Sequence, residues 1–371
     1  MYDSSSILRA FQLSEVQLTD TMRSKLSSHR DANIDRMVSR LPNVFEGLSL
    51  VQDSFVPQGS FSMRTVIQTL SSDESYDIDV GVKIPATVLV SDSGDSMSPS
   101  VVKSAVCEAM RDDRFVKQPL IKRNCIRIFY ADEDEYKHHV DVPIYRVSSN
   151  GGALVQELAS EHEWIESNPT QINAWFEQLI RSLNTSKDGA GTQLRVVVRL
   201  LKRFAKSRAE WDMPSGLKLT MLCCECFVPA ERLDIALKNT IGTIADRLES
   251  SQAIHNLAQA DGSQDMLTRT AHDTSVIQLQ QRLREAMATL SEIGQSTCTE
   301  SGACEAWDAV FVPKKSFSDY AGESSPKKES LESKISVLLG GNAKTSSDGR
   351  IGREGIENKP HKFYADDPKE E

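Results

Sequence analysis

Residues 58–82 read QGSFSMRTVIQTLSSDESYDIDVGV and combine a Gly-Ser turn, a helix-like run and a pair of carboxylates on a strand. Successive side chains of a strand point to opposite faces. Asp77 and Asp79 are therefore predicted to share one face, while Ile78 and Val80 point into a core. Two neighbouring carboxylates repel each other unless a cation lies between them, and their oxygens suit Mg²⁺, which binds through carboxylates and substrate phosphates.

The Gly-Ser turn lies just upstream of the carboxylates. Gly59 permits close approach of the backbone, and the residues after Ser60 are predicted to form a helix over about 61–70 whose free N–H groups attract phosphate. Taken singly, the dipeptide is explained as a simple turn and the acid pair as a solvated strand end. Their order and closeness favour a nucleotide and metal site.

The composition indicates a globular protein in a reducing compartment. The chain has 371 residues, of which 39% are hydrophobic, enough for one large or two smaller domains. It shows neither a signal-like N-terminus nor a run of 18 apolar residues, so a cytoplasmic protein without membrane segments is expected. The seven cysteines have no regular spacing. Cys223, Cys224 and Cys226 lie in LTMLCCECF, which favours a buried helix over a metal site.

The net charge of −10 argues against tight binding to a long nucleic acid, which needs a broad basic surface. A nucleoside triphosphate is compatible with this charge, because it arrives with Mg²⁺ and needs only a few well-placed cations.

The first half of the chain is predicted to be mixed. Helical spacing of apolar residues predicts one long helix over 13–48. Strands are predicted over 76–82, 125–130 and 140–147, with a helix over 101–111. The polar segment ADEDEYKHH is predicted to be a hairpin loop, with His138 and His139 on the surface.

From about residue 168 to 311 the pattern is helical, with apolar stripes at helical spacing. The segment after residue 312 is rich in Ser, Gly, Lys and Glu and is predicted to be a flexible tail. The predicted fold class is thus α+β, with a sheet core and N-terminal helix in residues 1–165, a helical domain in 166–312 and a tail in 313–371.

Asp141 lies in the strand VDVPIYRV with Val140 and Val142 on the opposite face. A two-metal site needs more oxygen ligands than Asp77 and Asp79 supply, and an acid on a neighbouring strand completes the set. A surface acid on an edge strand is the alternative explanation.

These residues resemble the polymerase-β-like nucleotidyltransferase superfamily and, within it, the bacterial cGAS/DncV-like cyclic oligonucleotide synthases of anti-phage signalling. The specific likeness covers about residues 13–311 and lies in the following motifs: QGSFSMRTVI, YDIDVGV, HVDVPIY, NPTQINAWF and VVRLLKRF, with a Pro-Ser-Gly turn thirteen residues beyond Lys202.

The resemblance implies an enzyme that joins nucleoside triphosphates, with ATP and GTP expected, into a cyclic di- or trinucleotide second messenger. Asp77, Asp79 and Asp141 would be catalytic and would hold two Mg²⁺ ions, with Mn²⁺ as an alternative. Gln58, Gly59 and Ser60 would bind the triphosphate, and Lys202 and Ser215 would contact phosphates from the helical domain. Arg127 would face the same cleft, although pairing with an acid explains it equally well.

The resemblance leaves several questions open. Family members often carry Asn-Pro where this chain reads His255-Asn256-Leu257. Some relatives are conjugated to proteins through a C-terminal residue, whereas this sequence has Glu370-Glu371 at its carboxyl end, and conjugation stays open. Regulatory or conjugating proteins are therefore expected partners of the tail. Two other hypotheses are nucleotidyl transfer to a protein, an RNA end or a small molecule, and a catalytically silent nucleotide-binding module.

Overall fold

The computed structural model describes residues 2–70, 75–130, 137–186, 189–259, 266–268, 270 and 272–324, together with three short strands nearer the C-terminus. Met1–Tyr320 form one compact unit and Ala321–Glu371 a second. Within the first unit, strands and helices alternate up to residue 166 and helices follow, so the predicted α+β class with a mixed sheet is confirmed.

Eight strands of the described chain build the larger sheet. They are β1 (Phe55–Gln58), β2 (Ser75–Pro85), β3 (Leu120–Ile121), β4 (Ile126–Tyr130), β5 (Lys137–Val142), β6 (Ile144–Asn150), β7 (Ala153–Ala159) and β8 (Trp164–Glu166). Their order is β3-β4-β5-β2-β6-β7-β8, with β1 paired to β2 outside this path. The long strand β2 therefore has three partners: it runs parallel to β5 and β6 and antiparallel to β1.

The register of β2 and β5 brings distant residues side by side. Asp77 pairs with His139 and Asp79 with Asp141. On the opposite face of these strands, Ile78, Val80, Val140 and Val142 are fully buried in the core. Alternation along the two strands thus puts the apolar residues inward and the polar residues on one shared face, as the sequence predicts for β2.

Eleven α-helices lie in the described residues. They are α1 (Ser5–Phe11), α2 (Asp20–Arg40), α3 (Gly59–Ser62), α4 (Pro99–Ala109), α5 (Pro169–Ser186), α6 (Ala190–Ala205), α7 (Gly216–Cys226), α8 (Leu233–Ser250), α9 (Thr274–Thr289), α10 (Glu300–Phe311) and α11 (Phe317–Ser324). Leu194, Val198 and Leu201 of α6 are fully or almost fully buried, and Cys223 of α7 is buried, in line with the predicted cysteine-containing core helix. No helix in the described residues is both long and apolar enough to cross a membrane.

Two helix predictions are wrong in their bounds. The long N-terminal helix begins only at Asp20, where Thr19 caps it by accepting a hydrogen bond from the Met22 N–H, and it ends at Arg40, shortly before Pro42. The helix predicted over 61–70 is a single turn, α3, because the backbone of Arg64 adopts a positive φ of 57°.

The segment predicted as one strand over 140–147 is divided at Pro143 into β5 and β6, which pair with different parts of β2. Proline has no N–H to donate, so a break between strands accommodates it. The division of the chain at residues 165 and 312 stays a prediction.

The start of the predicted tail belongs to the first unit. Phe317 and Tyr320 of α11 are buried, and the Phe317 ring lies 4.9 Å from that of Phe11, centroid to centroid. In the second unit, β9 (Lys344–Thr345) pairs with β10 (Ile351–Gly352) and β11 (Ile356–Glu357). The rest of the predicted tail, including Glu370 and Glu371, lies outside the described residues.

Candidate active site

Three carboxylates share the polar face of β2 and β5, which we call the sheet wall (Asp77, Asp79 and Asp141). Asp77 is 53% exposed at its side chain, whereas Asp141 is only 6% exposed. The structure thus brings together three acids that are up to 64 residues apart in sequence. Strand pairing fixes their backbone positions, so their closeness does not depend on flexible loops.

The Gly-Ser turn lies against the second carboxylate. Gln58 is paired with Asp79 across β1 and β2, and Gly59 follows with a φ of 71°. A Cβ atom on Gly59 would lie 2.1 Å from Asp79 Oδ2, far inside van der Waals contact. Glycine is therefore required twice here, for its backbone angle and for the space that Asp79 occupies.

Gln58 is held from below the turn by Tyr145 of β6. The Tyr145 hydroxyl donates a hydrogen bond of 2.9 Å to Gln58 Oε1. A Cβ on Gly81 would lie 2.5 Å from the Tyr145 ring, so this glycine makes room for the tyrosine. Because the Gln58 oxygen accepts this bond, its amide N–H groups remain available as donors.

Arg127 of β4 pairs with the third acid. Its Nε and Nη2 atoms donate to the two oxygens of Asp141 at 2.8 and 2.7 Å, and Nη2 lies 3.9 Å from Asp77 Oδ1. Of the two sequence interpretations of Arg127, pairing with an acid is the one seen. A nucleotide-binding role for Arg127 stays a prediction.

The charges of the sheet wall are unequally balanced. Burial, reinforced by the charges of Asp77 and Asp141, raises the pKa of Asp79 to about 8. Burial also acts to raise the pKa of Asp77, but the hydrogen bond and charge of His139 and the charge of Arg127 outweigh it and hold that pKa below its ordinary value. A site where one carboxyl resists ionisation for lack of a counter-charge suits an added cation.

Lys202 and Ser215 face the acids from the helical side, and we call them the helical wall. Lys202 of α6 is 7% exposed, and its Nζ donates to Thr65 Oγ1 at 3.0 Å and more weakly to the Thr65 carbonyl at 3.4 Å. A Cβ on Gly216 would lie 3.6 Å from Lys202 Nζ, so the ammonium group adjoins the first residue of α7. Burial lowers the pKa of Lys202 to about 8.

Ser215 is the residue immediately before α7, and its side chain makes no capping hydrogen bond to that helix. The N-terminus of an α-helix carries free N–H groups and a partial positive charge, which favour phosphate. Lys202 and Ser215 therefore concentrate donors and positive charge at one end of α7.

Both walls border one cleft of about 780 Å³. Among its lining residues are Gln58, Gly59, Ser60, Asp77, Asp79, Lys202 and Ser215. Seven of the nine predicted site residues thus meet in one cavity, and Asp141 and Arg127 adjoin it behind Asp77. The roles of all nine in binding and catalysis stay predictions.

A second cavity of about 620 Å³ lies on the other side of Gln58 and Asp79, which line it as well. Its cationic lining consists of Arg23, Arg30, Arg64, Arg195 and Arg199. Arg199 is only 8% exposed, and burial, together with the charges of Arg195 and Arg23, lowers its pKa to about 10. This cluster cannot be found from sequence, because its members come from α2, from the segment after α3 and from α6.

The histidine prediction is wrong. His138 and His139 belong to β5 rather than to a loop, and they are 2% and 6% exposed. His138 stacks between helix α2 and the sheet, with its ring parallel to those of His29 and Tyr130. His139 points to the opposite face, where its Nε2 lies 2.7 Å from Asp77 Oδ1. The period-two spacing of His139 and Asp141 in KHHVDV was the available signal. Residues 131–136 of the predicted loop lie outside the described residues.

Comparison with known proteins finds a family model that matches the part of the chain carrying the Gly-Ser turn and the acids. Residues 53–145 match the family model described as "Cyclic GMP-AMP synthase DncV-like, nucleotidyltransferase domain". No curated protein sequence matches the chain at a significant level. The matched segment includes the Gly-Ser turn and all three acids, and over this segment the match confirms the predicted DncV-like nucleotidyltransferase classification.

Solved structures of Vibrio cholerae DncV have a similar fold. The complex with nonhydrolyzable GTP has 16% identity and a TM-score of 0.65, covering 84% of this chain and 96% of that one. The complex with the linear intermediate 5' pppA(3',5')pG has 17% identity and a TM-score of 0.62, covering 83% and 95%. A third, with GTP and 5MTHFGLU2, has 16% identity and a TM-score of 0.65, covering 86% and 98%. The likeness extends through the helices and shows a shared fold.

Proposed function

We propose that the protein joins nucleoside triphosphates into a cyclic di- or trinucleotide and releases pyrophosphate. The premise is the match of residues 53–145 to a DncV-like nucleotidyltransferase domain. The observation that carries this proposal is the cleft in which Asp77 and Asp79 face Lys202 and Ser215. ATP and GTP are the proposed substrates, because structures of similar fold are of complexes with ATP, GTP and a linear dinucleotide.

The donor set fits a hard divalent cation. Ligand atoms of Asp77 and Asp141, with His139, lie within 4.8 Å of one another, and Asp79 pairs with Asp141 in the strand register. Carboxylate oxygens are ligands that Mg²⁺ and Mn²⁺ prefer. Burial and the neighbouring charges of Asp77 and Asp141 raise the pKa of Asp79, and a bound cation would counter both effects. Asp77, Asp79 and Asp141 would hold two Mg²⁺ ions, or Mn²⁺. When bound, such ions neutralise the carboxylates and polarise the reacting phosphate.

The chain's own residues would position the two nucleotides. The turn at Gly59 and Ser60, with the Gln58 amide, would donate hydrogen bonds to the triphosphate, while Lys202 and the N-terminus of α7 would neutralise phosphates from the opposite wall. Asp141, oriented by Arg127, would accept the proton of the attacking ribose hydroxyl. The hydroxyl oxygen forms a bond to the α-phosphorus as the bond to pyrophosphate breaks. Such catalysis depends mainly on positioning and charge neutralisation.

The test is incubation of the protein and Mg²⁺ with each labelled triphosphate and with mixtures, followed by phosphatase treatment and nuclease mapping. We expect a phosphatase-resistant small product that the variant carrying both Asp77→Ala and Asp79→Ala does not make. Label that appears only on protein or RNA would indicate transfer to another acceptor. Triphosphate binding without metal and without turnover would indicate a silent binding module.

We also propose that the product acts as a second messenger in anti-phage defence in the cytoplasm, with regulatory or conjugating proteins acting on the C-terminal tail. Support comes from the family match alone. Bacteria that express the protein together with its neighbouring genes should resist phage, whereas those with Asp79→Asn should be infected like cells that lack it.

The arginine-lined cavity supports a proposal about regulation. Five arginines and two aspartates, Asp20 and Asp79, line this confined space. Arg195 and Arg30 are paired with the carboxylates of Glu177 and Asp31, and the other three arginines still exceed the two lining aspartates. A structure of similar fold contains 5MTHFGLU2 besides GTP. We propose that the cavity binds an anionic small-molecule regulator, which the shared residues Gln58 and Asp79 would couple to the cleft. A titration with 5MTHFGLU2 should change the activity of the native protein and have at least about tenfold less effect on Arg199→Ala.

A further inference from the structure

His139 lies among the acids of the sheet wall, although the proposed reaction assigns it no role. In the register of β2 and β5 it pairs with Asp77, just as Asp141 pairs with Asp79. Four side chains therefore form a square on one face of two neighbouring strands, three of them acids and the fourth an imidazole. Burying a polar ring at this position is costly unless both ring nitrogens have partners.

Both nitrogens of His139 have neighbours in the site. Nε2 lies 2.7 Å from Asp77 Oδ1, and Nδ1 lies 3.1 Å from the hydroxyl of Ser75. Ser75 precedes Asp77 by two residues on β2 and shares its face. If the Ser75 hydroxyl donates to Nδ1, the ring carries its proton on Nε2, where it can donate to the carboxylate.

Asp77 needs such a support more than its neighbours do. Its side chain is 53% exposed, and its other near cation, Arg127, lies at 3.9 Å and is committed to Asp141. Asp79 is fixed against Gly59, and Asp141 is held by two hydrogen bonds from Arg127. The short contact with His139 is thus the closest polar contact that the structure gives for Asp77.

Two roles are open to an imidazole in this place: direct coordination of a metal or orientation of a carboxylate ligand. The ligand atoms of Asp77, His139 and Asp141 lie within 4.8 Å of one another, which is close enough for a shared ion. Mg²⁺ prefers oxygen to nitrogen, however, and Nε2 lies 2.7 Å from an Asp77 oxygen. We infer that His139, held by Ser75, is a positioning residue that fixes the Asp77 carboxylate for metal binding. This inference rests on the proposed metal-dependent function.

Direct Mn²⁺ binding tests the inference without requiring any product. Titrating the protein with Mn²⁺ alone, and following the electron paramagnetic resonance signal of the free ion, gives the dissociation constant. We expect His139→Leu to weaken Mn²⁺ binding about tenfold or more, the range found for residues that orient metal ligands. His139→Gln retains a side-chain N–H and should recover most of the affinity. His162→Leu, at a histidine with 86% side-chain exposure, is the matched control and should bind like the native protein.

A second variant covers the case in which His139→Leu does not fold. Ser75 is exposed, so Ser75→Ala leaves the core intact while removing the partner of Nδ1, and should weaken Mn²⁺ binding about two- to fivefold. Unchanged affinity in His139→Leu and Ser75→Ala would overturn the inference. Nitrogen hyperfine coupling to bound Mn²⁺, lost in His139→Gln, would overturn it as well by making His139 a ligand. A native protein that binds Mn²⁺ as expected but makes no cyclic product would contradict the proposed function and leave this inference standing.

Discussion

The sheet wall and the helical wall of the cleft carry opposite charges. The charged groups of the two walls are positioned in different ways. Asp77, Asp79 and Asp141 have short side chains on paired strands, so the backbone register determines where the carboxylates lie. Lys202 reaches the cleft through a long side chain from a helix, and its ammonium is oriented by Thr65, 137 residues away in sequence. Pairing between two strands is enough to position the carboxylates, whereas the position of the Lys202 ammonium depends on tertiary packing.

Each wall also buries one ionisable group whose charged form is disfavoured. Asp79 and Lys202 are each buried away from a full counter-charge, and burial shifts both pKa values toward the neutral form. The carboxyl of Asp79 resists ionisation and the ammonium of Lys202 gives up its proton easily, because each is buried without a full counter-charge. A metal-bound triphosphate would satisfy both, because it brings cations to the acids and phosphate to the lysine.

The largest expected effect comes from removing one charge of the sheet wall. Asp79→Asn should lower kcat about 10³-fold or more, because losing a metal ligand removes several kcal/mol of transition-state stabilisation. Cyclic product formed over a time course from ATP and GTP measures it. Asp95→Asn, in an exposed loop, should be as active as the native protein. Activity of Asp79→Asn within tenfold of native would mean that the sheet wall is not the catalytic side.

Gly59→Ala tests whether the turn must lie against Asp79. The new methyl group would meet Asp79 Oδ2, and activity should fall about 10²-fold because a displacement near 1 Å has that cost. Gly94→Ala is the matched control, since Gly94 has a similar φ of 83° but nothing within 4 Å of a Cβ. Both variants should lose about 1–2 kcal/mol of stability from the left-handed backbone. Equal activities in the two would show that the contact with Asp79 is unimportant.

Lys202→Met probes the helical wall and should act mainly on nucleotide binding. We expect the KM for triphosphate to rise about 10- to 100-fold, because a charge-assisted hydrogen bond contributes about 1.5–3 kcal/mol. Initial rates at varied triphosphate concentration measure it. Lys122→Met, at an exposed lysine, should leave KM unchanged. A drop in kcat with native KM would place Lys202 in the chemical step.

The same lysine predicts a pH dependence of stability. Its pKa of about 8 in the folded chain lies below the ordinary value of 10.5, so the unfolded chain binds more protons between those pH values. The free energy of unfolding of the native protein should therefore rise from pH 8 to 10.5 relative to Lys202→Met, by about 1–3 kcal/mol. Urea denaturation of both proteins without nucleotide measures this difference, and a difference that is constant with pH would contradict the prediction.

The smallest effect is expected at Ser215. Ser215→Ala should raise the KM for triphosphate about two- to tenfold, the cost of one hydrogen bond. It should cost less than about 0.5 kcal/mol of stability, because this side chain makes no capping bond. Thr299→Ala, which removes a real cap on α10, should cost about 1 kcal/mol. A stability loss at Ser215 as large as at Thr299 would assign it a structural role.

The acids could be found from sequence because they depend on a local rule. Alternation in YDIDVGV and HVDVPIY determines which face each residue occupies, and strand pairing then brings the two faces together. His139 obeys the same rule, but the charges around it favoured a loop interpretation. The extent of α3 could not be read in the same way, because the positive φ of Arg64 ends it and arginine carries no propensity signal for that conformation.

The contacts of the helical wall and of the arginine-lined cavity follow no local rule. Thr65 as the partner of Lys202, and the meeting of Arg23 with Arg199, arise from how α2, α3 and α6 pack. The resemblance supplied Lys202 and Ser215. Arg64 and Arg199 lie within quoted motifs but received no role there, and the other three arginines of the cavity lie outside those motifs. The burial of Phe317 and Tyr320 could not be predicted either, because the segment around these two aromatic residues is mostly polar in composition.

The three partners of β2 have a consequence for folding. The two halves of the carboxylate set lie on strands that must find each other across about sixty residues, and parallel pairings of such long range form slowly. An emerging chain is therefore inert until β5 has been synthesised and inserted beside β2. Once the sheet is complete, the β2 amides should exchange with solvent only through global unfolding, so the acids of the sheet wall belong to the last part of the protein to open.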